Sequence, residues 1–197
     1  MKQNKIYVAV TGGIGSGKST VIGMIRKMGY PVFSADEISR TIYADPRIQE
    51  KIKRHFPECI SEMGIDRAKL SGIVFSDKGR LEMLNSITHP AIMENLFLEM
   101  EKSTSVLVFA EVPLLFEEGY ERRFDQVIVV LRDRESRIAS VQARDGLSKE
   151  EVVARIKNQF DYEKNKIIAH TLIYNDGDLN ALYQKVERAI NEIKKKI

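Results

Sequence analysis

The stretch Thr11-Gly12-Gly13-Ile14-Gly15-Ser16-Gly17-Lys18-Ser19-Thr20 fits the spacing G-x-x-x-x-G-K-[ST] directly after an apolar run, Ile6 to Val10. Glycines at this spacing let backbone N–H groups turn inward around phosphate oxygens, and the start of the next helix adds its positive end. Gly13, Ile14, Gly15, Ser16, Gly17, Lys18, Ser19 and Thr20 are therefore expected to line a nucleotide. In that pattern Lys18 reaches the β- and γ-phosphates, and the Ser19 hydroxyl ligates Mg²⁺. A strand before the loop and an amphipathic stretch after it, Thr20 to Met28, supply the right setting. The chain is expected to bind a purine nucleoside triphosphate.

Where the phosphate goes depends on other residues. No Asp-x-x-Gly and no Asn-Lys-x-Asp occurs, so a signalling GTPase is disfavoured. Glu111 follows an apolar run without a second acid beside it, which is weak support for a motor or transport ATPase. It can hold Mg²⁺ through water or simply end a strand. A small-molecule kinase needs a base near the γ-phosphate and arginines to neutralise the transferring group. Asp36 follows the second apolar run, whose end this topology brings near the loop; it can act as that base or as the N-cap of the next helix. Arg132, Arg134, Arg137, Arg144 and Arg155 cluster late in the chain, with Arg137 and Arg144 on one face of any continuous helix. Guanidinium groups bind phosphate bidentately, so one or two of these on a mobile segment can reach a triphosphate.

The elements that must position these groups are legible as alternating strands and helices. Strands are expected at Lys5–Val10, Tyr30–Ser34, Ser105–Ala110, Gln126–Leu131 and Thr171–Tyr174. Helical patterns between them predict a parallel sheet covered on both faces, with ligand at the carboxyl edge of the strands. About seventy residues separate the second and third strands, more than one crossover needs. They carry helical stretches near Asp36–Ala44, Arg47–His55, Asp66–Phe75 and Lys78–Lys102, the last expected to break at His89-Pro90. A second insertion runs from 132 to 165, and Ser148-Lys149-Glu150-Glu151 opens a helix there as a capping box. One domain is expected over 1–197, with a helical substrate-binding insertion at 36–102 and a lid at 132–165.

Composition narrows the class further. Lys plus Arg number 31 against 28 acids, too even a balance for nucleic-acid binding but compatible with a basic cleft for a small polyanion. The single cysteine, Cys59, rules out an intrachain disulfide. No secretory signal and no membrane-length apolar run is visible, so a cytoplasmic protein without membrane attachment is expected, as a monomer or weak homo-oligomer.

With these residues in view, the chain resembles the dephospho-coenzyme A kinase family along nearly its whole length. The resemblance lies in TGGIGSGKS, SADEISR (34–40), His89-Pro90, VPLLFE (112–117), RDGLSKEEVVARIKNQ (144–159) and YNDG (174–177). It implies a P-loop NTPase fold of three layers, α/β, with a five-stranded parallel sheet flanked by helices. It also implies ATP- and Mg²⁺-dependent phosphorylation of the ribose 3′-hydroxyl of dephospho-coenzyme A, the last step of coenzyme A synthesis. By the family pattern Asp36 is the general base and Arg40 helps hold the substrate. Thr11, His89 and Pro113-Leu114-Leu115 line the substrate side. Arg144 is the lid arginine on the phosphates, and Asn175 contacts adenine. Two positions depart from the pattern: Ser34 replaces the first acid of an Asp-Ala-Asp triplet, and His170 replaces an acid before the last strand. The second change is expected to touch packing or strand capping. The rival readings are a nucleoside or nucleoside monophosphate kinase of the same fold, and a nucleotide-gated binding protein.

Overall fold

A computed structural model describes residues 5–62, 64–162, 164 and 170–196. The chain separates into two units: residues 34–101, and the described residues before and after them. In the larger unit, β1 (Ile6–Thr11) leads through the glycine loop into α1 (Lys18–Lys27). β2 (Val32–Ser34) then ends where the smaller unit begins. In that smaller unit follow α2 (Ala35–Thr41), a 3-10 turn at Ile42–Ala44, and α3 (Pro46–His55). Two short strands, β3 (Ile60–Ser61) and β4 (Gly64–Ile65), precede α4 (Arg67–Ser76) and α5 (Lys78–Lys102). The larger unit resumes with β5 (Leu107–Glu111), β6 (Gln126–Leu131), α6 (Arg134–Asp145) and α7 (Lys149–Lys157). It closes with β7 (Thr171–Tyr174) and α8 (Leu179–Lys194).

The five-stranded sheet runs β2-β5-β1-β6-β7, and the paired registers of β1, β5, β6 and β7 are parallel. β1 is central, so the loop leaves from the middle of the carboxyl edge, while β5 lies between β1 and β2. Val8, Val10, Phe109, Ile128, Val130 and Ile173 bury one face against Val21, Ile22 and Ile25 of α1 and Leu182, Val186 and Ile190 of α8. Residues of the other parity, such as Ala9, Val108 and Val127, are equally buried, as a sheet covered on both faces requires. Near-continuous Val and Ile runs suit this environment, where both faces of every central strand leave water. β6 and β7 begin and end where the apolar runs do; β1 and β5 run one residue further than expected, into Thr11 and Glu111. His170 satisfies the strand start: its Nδ1 accepts from Val127 N at 3.1 Å, and its own N–H donates to Val127 O at 3.1 Å. The departure from an acid there is thus a strand-capping change.

The smaller unit has its own core, in which Ile48 and Ile52 of α3 meet Phe56, Leu70, Val74, Leu84 and Ile87. The expected break at His89-Pro90 does not occur: α5 runs 25 residues straight through Pro90. Proline within a helix removes one hydrogen bond and crowds the preceding turn, at about 3 kcal/mol. Here Leu84, Ile87 and Thr88 are buried before Pro90, and Ala91, Met93 and Leu96 after it, so packing on both sides outweighs that local cost. The β3–β4 pair was not foreseen, because two-residue strands carry no alternation to read.

Six helices open on a side-chain cap: Ser34, Asp45, Asp66, Asp133, Ser148 and Asp178 each accept a backbone N–H of their own first turn. At Ser148 the full capping box forms with Glu151, as the motif predicts. Helix α1 differs, since its N-cap is Gly17 in the left-handed region, with no side chain to offer. Its leading N–H groups remain suited to an anion. Ser34 Oγ accepts from Glu37 N at 3.4 Å, so the cap of α2 is Ser34 and Asp36 lies inside the first turn. Of the two roles open to Asp36, helix cap falls away. Replacing Ser34 by Ala is expected to lower unfolding free energy by about 0.5–1 kcal/mol, while Ser34→Asp, which keeps an acceptor, leaves it near wild type; urea unfolding curves measure both.

Candidate active site

The loop is built against its own protein. A Cβ at Gly12 would lie 2.5 Å from the Val130 carbonyl oxygen and 2.8 Å from Ser16 Oγ. One at Gly15 would lie 2.5 Å from the Arg137 carbonyl oxygen, and one at Gly17 2.2 Å from Asn175 Nδ2. Real Cβ atoms do not approach so closely, and Gly15 and Gly17 also take φ of 76° and 88°, which L side chains resist. The glycines thus serve two surfaces: the inner one suits phosphate, and the outer one is filled by β6, α6 and the loop after β7.

Lys18, at the start of α1, pairs with Glu111 at the end of β5, Nζ to Oε1 being 3.1 Å. Both side chains are mostly shielded, at 16% and 18% exposure, so the attraction is screened less than at an open surface. Register explains the meeting, since Glu111 stands beside Val10, just before the loop departs. Ser19 and Thr20 follow on the first turn of α1 and are exposed. Ser16 is buried in the loop.

Thr11 sits at the end of β1, fully buried, with its Oγ1 3.3 Å from the Tyr162 hydroxyl and donating to Pro113 O at 3.4 Å. Phe116 and Phe160 stack at 4.9 Å, and Tyr162 meets Phe160 edge-on at 5.3 Å. Glu117 Oε1 accepts from Phe160 N at 3.1 Å. The VPLLFE segment is therefore fastened to residues 160–162. Within it Leu115 is buried core, whereas Leu114 is 45% exposed, and the two neighbours point to different environments. Burial pushes the Tyr162 phenol up to about 12, and the Thr11 hydrogen bond acts in the opposite direction.

Arg137 and Arg144 do share α6, but the one at the loop is Arg137, whose Nε donates to Ile14 O at 2.9 Å. Arg144 is turned to its neighbour Asp145, with Nε to Oδ1 at 2.7 Å, which holds the Asp145 carboxyl below its ordinary range. Seven residues along a helix are about 10 Å, so the two guanidinium groups serve different places. Arg132 donates to Ser140 Oγ at 2.6 Å. Asn175, expected at adenine, donates from Nδ2 to Ser16 O at 3.0 Å and so props the loop. It also lines a cleft of about 680 Å³ with Thr20, Arg132, Gly177 and Leu179. A second cleft, about 780 Å³, is lined by Arg132, Arg134, Arg137, Lys157, Gln159 and Tyr162. Gln159 lies just beyond α7 and accepts from Ile14 N at 2.8 Å. Gln159 closes the 144–159 match without a role assigned by it, and Tyr162 carries no spacing signal, because each acts through the fold.

Asp36, Arg40 and His89 belong to the smaller unit. Asp36 and Arg40 are exposed, one turn apart on α2, and the Arg40 carbonyl accepts from Arg67 Nη1 at 3.3 Å. His89 lies in α5, half-buried, with its Nδ1 shielded from solvent. No helix among the described residues is long and apolar enough to cross a membrane.

A central strand, a glycine loop backed by protein, and a lysine at the start of the next helix define a P-loop nucleotide-binding protein. The comparisons give the particular branch. The family model described as dephospho-CoA kinase matches residues 6–181. A dephospho-CoA kinase of Thermus thermophilus is 38% identical over 191 residues, 97% of this chain and 93% of that protein. A crystal structure from Thermus thermophilus superposes with a TM-score of 0.81 at 37% identity, covering 98% of both chains. A dephospho-CoA kinase structure from Campylobacter jejuni does so at 0.70 and 30%, covering 96% of this chain and 98% of that one. The chain belongs to the dephospho-CoA kinase family.

Because the Tyr162 phenol titrates near 12 in the fold and near 10 when exposed, the folded state holds its proton longer. The stability tied to that phenol is intact below pH 10 and is lost as pH rises through about 12. Wild type is expected to lose unfolding free energy relative to Tyr162→Phe across that window, as read by denaturant titrations at stepped pH.

Proposed function

We propose that the chain transfers the γ-phosphoryl group of ATP to the ribose 3′-hydroxyl of dephospho-coenzyme A, yielding coenzyme A and ADP. The observation that carries this reading is family membership across residues 6–181, together with Lys18 set at the loop helix. Backbone N–H groups from Gly13 to Ser19, apart from those of Ile14 and Ser16, which Gln159 Oε1 and Gly13 O hold, receive the phosphates, and Lys18 exchanges Glu111 for a phosphate oxygen. Asp36 accepts the proton of the 3′-hydroxyl while that oxygen attacks the γ-phosphorus in line and the bond to ADP breaks. Its support is that Ser34, not Asp36, caps α2, leaving the Asp36 carboxylate exposed in the first turn. Arg40 and His89 hold the substrate, and so do Thr11, Pro113, Leu114 and Leu115. Thr11 is turned by Tyr162, and the exposed Leu114 is the better apolar contact of its pair.

Ser19 fits Mg²⁺: its hydroxyl is a hard oxygen donor, exposed at the start of α1, which suits an ion that keeps most of its shell as water and phosphate oxygen. The ion supplies charge neutralisation at the phosphates. Residues 132–165 act as the lid, with Asn175 beside the adenine. Arg144 reaches the phosphates only by leaving Asp145, and we assign it to the closed lid. ATP is the donor, and on that ground we place the reaction in the cytoplasm.

Coupled ADP release with ATP·Mg²⁺ is expected to be stimulated by dephospho-coenzyme A and not by nucleosides or nucleoside monophosphates, with product phosphorylated at the 3′ position. Asp36→Asn is expected to lower kcat by about 10²–10⁴ with ATP affinity unchanged. Stimulation by a nucleoside instead would overturn the substrate, and unaltered kcat in the variant would remove Asp36 from the reaction.

A further inference from the structure

The peptide of Ile14 is held from both sides. Arg137 Nε donates to Ile14 O at 2.9 Å, and Gln159 Oε1 accepts from Ile14 N at 2.8 Å. The two side chains also meet, Arg137 Nη2 to Gln159 Oε1 being 3.4 Å. Both groups facing the glutamine oxygen are donors, so only Oε1 can occupy that position and the amide orientation is set. Gly13 leaves room for this arrangement: a Cβ there would lie 2.4 Å from Arg137 Nη2 and 3.2 Å from Gln159 Oε1. The two residues come from different elements, Arg137 from α6 and Gln159 from the segment after α7. Around them Ile14 packs with Ile138, Val141, Val152 and Ile156, so the loop residue is an apolar as well as a polar anchor.

We infer that Gln159 and Arg137 are positioning residues that clasp the Ile14 peptide and hold the loop in the conformation that receives the triphosphate. They act through the loop backbone and therefore on the phosphates of the nucleotide, not on its base or on the acceptor. Neither motif spacing nor the transfer chemistry assigns them this task. A loop with left-handed residues at Gly15 and Gly17 and a buried Ser16 has many alternatives open to it when free. Fixing one peptide near its middle removes much of that freedom before ligand arrives, which improves affinity by preorganisation. The clasp also ties lid elements to the loop, so displacement of α6 and α7 is transmitted to the Ile14 peptide. The inference rests on reading the loop as the ATP phosphate site.

The test is calorimetric titration of ATP, AMP and dephospho-coenzyme A into wild type, Gln159→Met, Arg137→Gln and the double variant. Methionine keeps the length of glutamine and removes its acceptor. Loss of one partly buried hydrogen bond to the loop backbone corresponds to about a five- to tenfold weaker ATP affinity in each single variant. Affinity for AMP and for dephospho-coenzyme A is expected to stay within twofold. The double variant should lose less than the product of the single losses, because both side chains hold one peptide. Gln159→Glu, which restores an acceptor oxygen facing Arg137, should recover most of the ATP affinity. Unchanged ATP affinity in both single variants, equal losses for ATP and AMP, or independent losses in the double variant would each overturn the clasp. A wild-type chain that bound no ATP would overturn the reading of the loop as well, so the two failures are told apart.

Discussion

The space around the glycine loop is set by protein on its outer side. Val130 O, the Arg137 backbone and Asn175 Nδ2 each come within 2.5 Å of where a side-chain carbon would stand. Backbone packed that closely has few ways to rearrange, because interiors at crystal-like density transmit displacement rather than absorb it. Much else follows from this fit. β1 must be central so that β6 can supply Val130, and α6 must begin directly after β6 so that Arg137 lies over Gly15. The turn after β7 must bring Asn175 back to the Ser16 carbonyl.

Residues 159–162 join two parts of the site that are far apart in sequence. Gln159 reaches the loop, the Phe160 amide reaches Glu117, and the Tyr162 hydroxyl reaches Thr11 and Pro113. Four consecutive residues thus connect the phosphate cradle with the VPLLFE segment, mixing hydrogen bonds with a three-ring aromatic cluster. Polar contacts fix direction and the rings supply buried area, which is how a segment without regular structure can be held in place.

What was legible in the sequence is what local physics controls. The strands Gln126–Leu131 and Thr171–Tyr174 stand where their apolar runs stand, since a strand covered on both faces needs such a run. The cap at Ser148 was readable because a capping box is a contact between residues three apart. Pro90 was misleading for the opposite reason: the local penalty is real, but the burial of α5 residues before and after it decides the outcome, and the side chains that bury them, such as Ile48, Ile52 and Phe56, come from elsewhere in the chain. The hold of Arg137 and Gln159 on Ile14, the Tyr162 contact with Thr11 and the loop-propping role of Asn175 stayed hidden because each depends on contacts across more than twenty residues of sequence. The Ser34 departure was visible as a lost acid, but that serine caps a helix could be read only once α2 was seen to begin at Ala35.

The four loop glycines are not equal in what they require. Gly15 and Gly17 are bound by a left-handed backbone as well as by space, and Gly12 is blocked by a carbonyl oxygen that cannot swing away. Gly13 has no positive φ, and its obstacle is the tip of a flexible arginine. Over generations of drift, then, an alanine at position 13 is the one exchange in the loop that a compensating change elsewhere, at position 137, could accommodate. At Gly12 and Gly15 the obstacle is backbone, and at Gly17, where it is the Asn175 side chain, the left-handed φ would remain after any change at 175. The loop's history should therefore record a tolerated pair at 13 and 137 beside three positions that do not move.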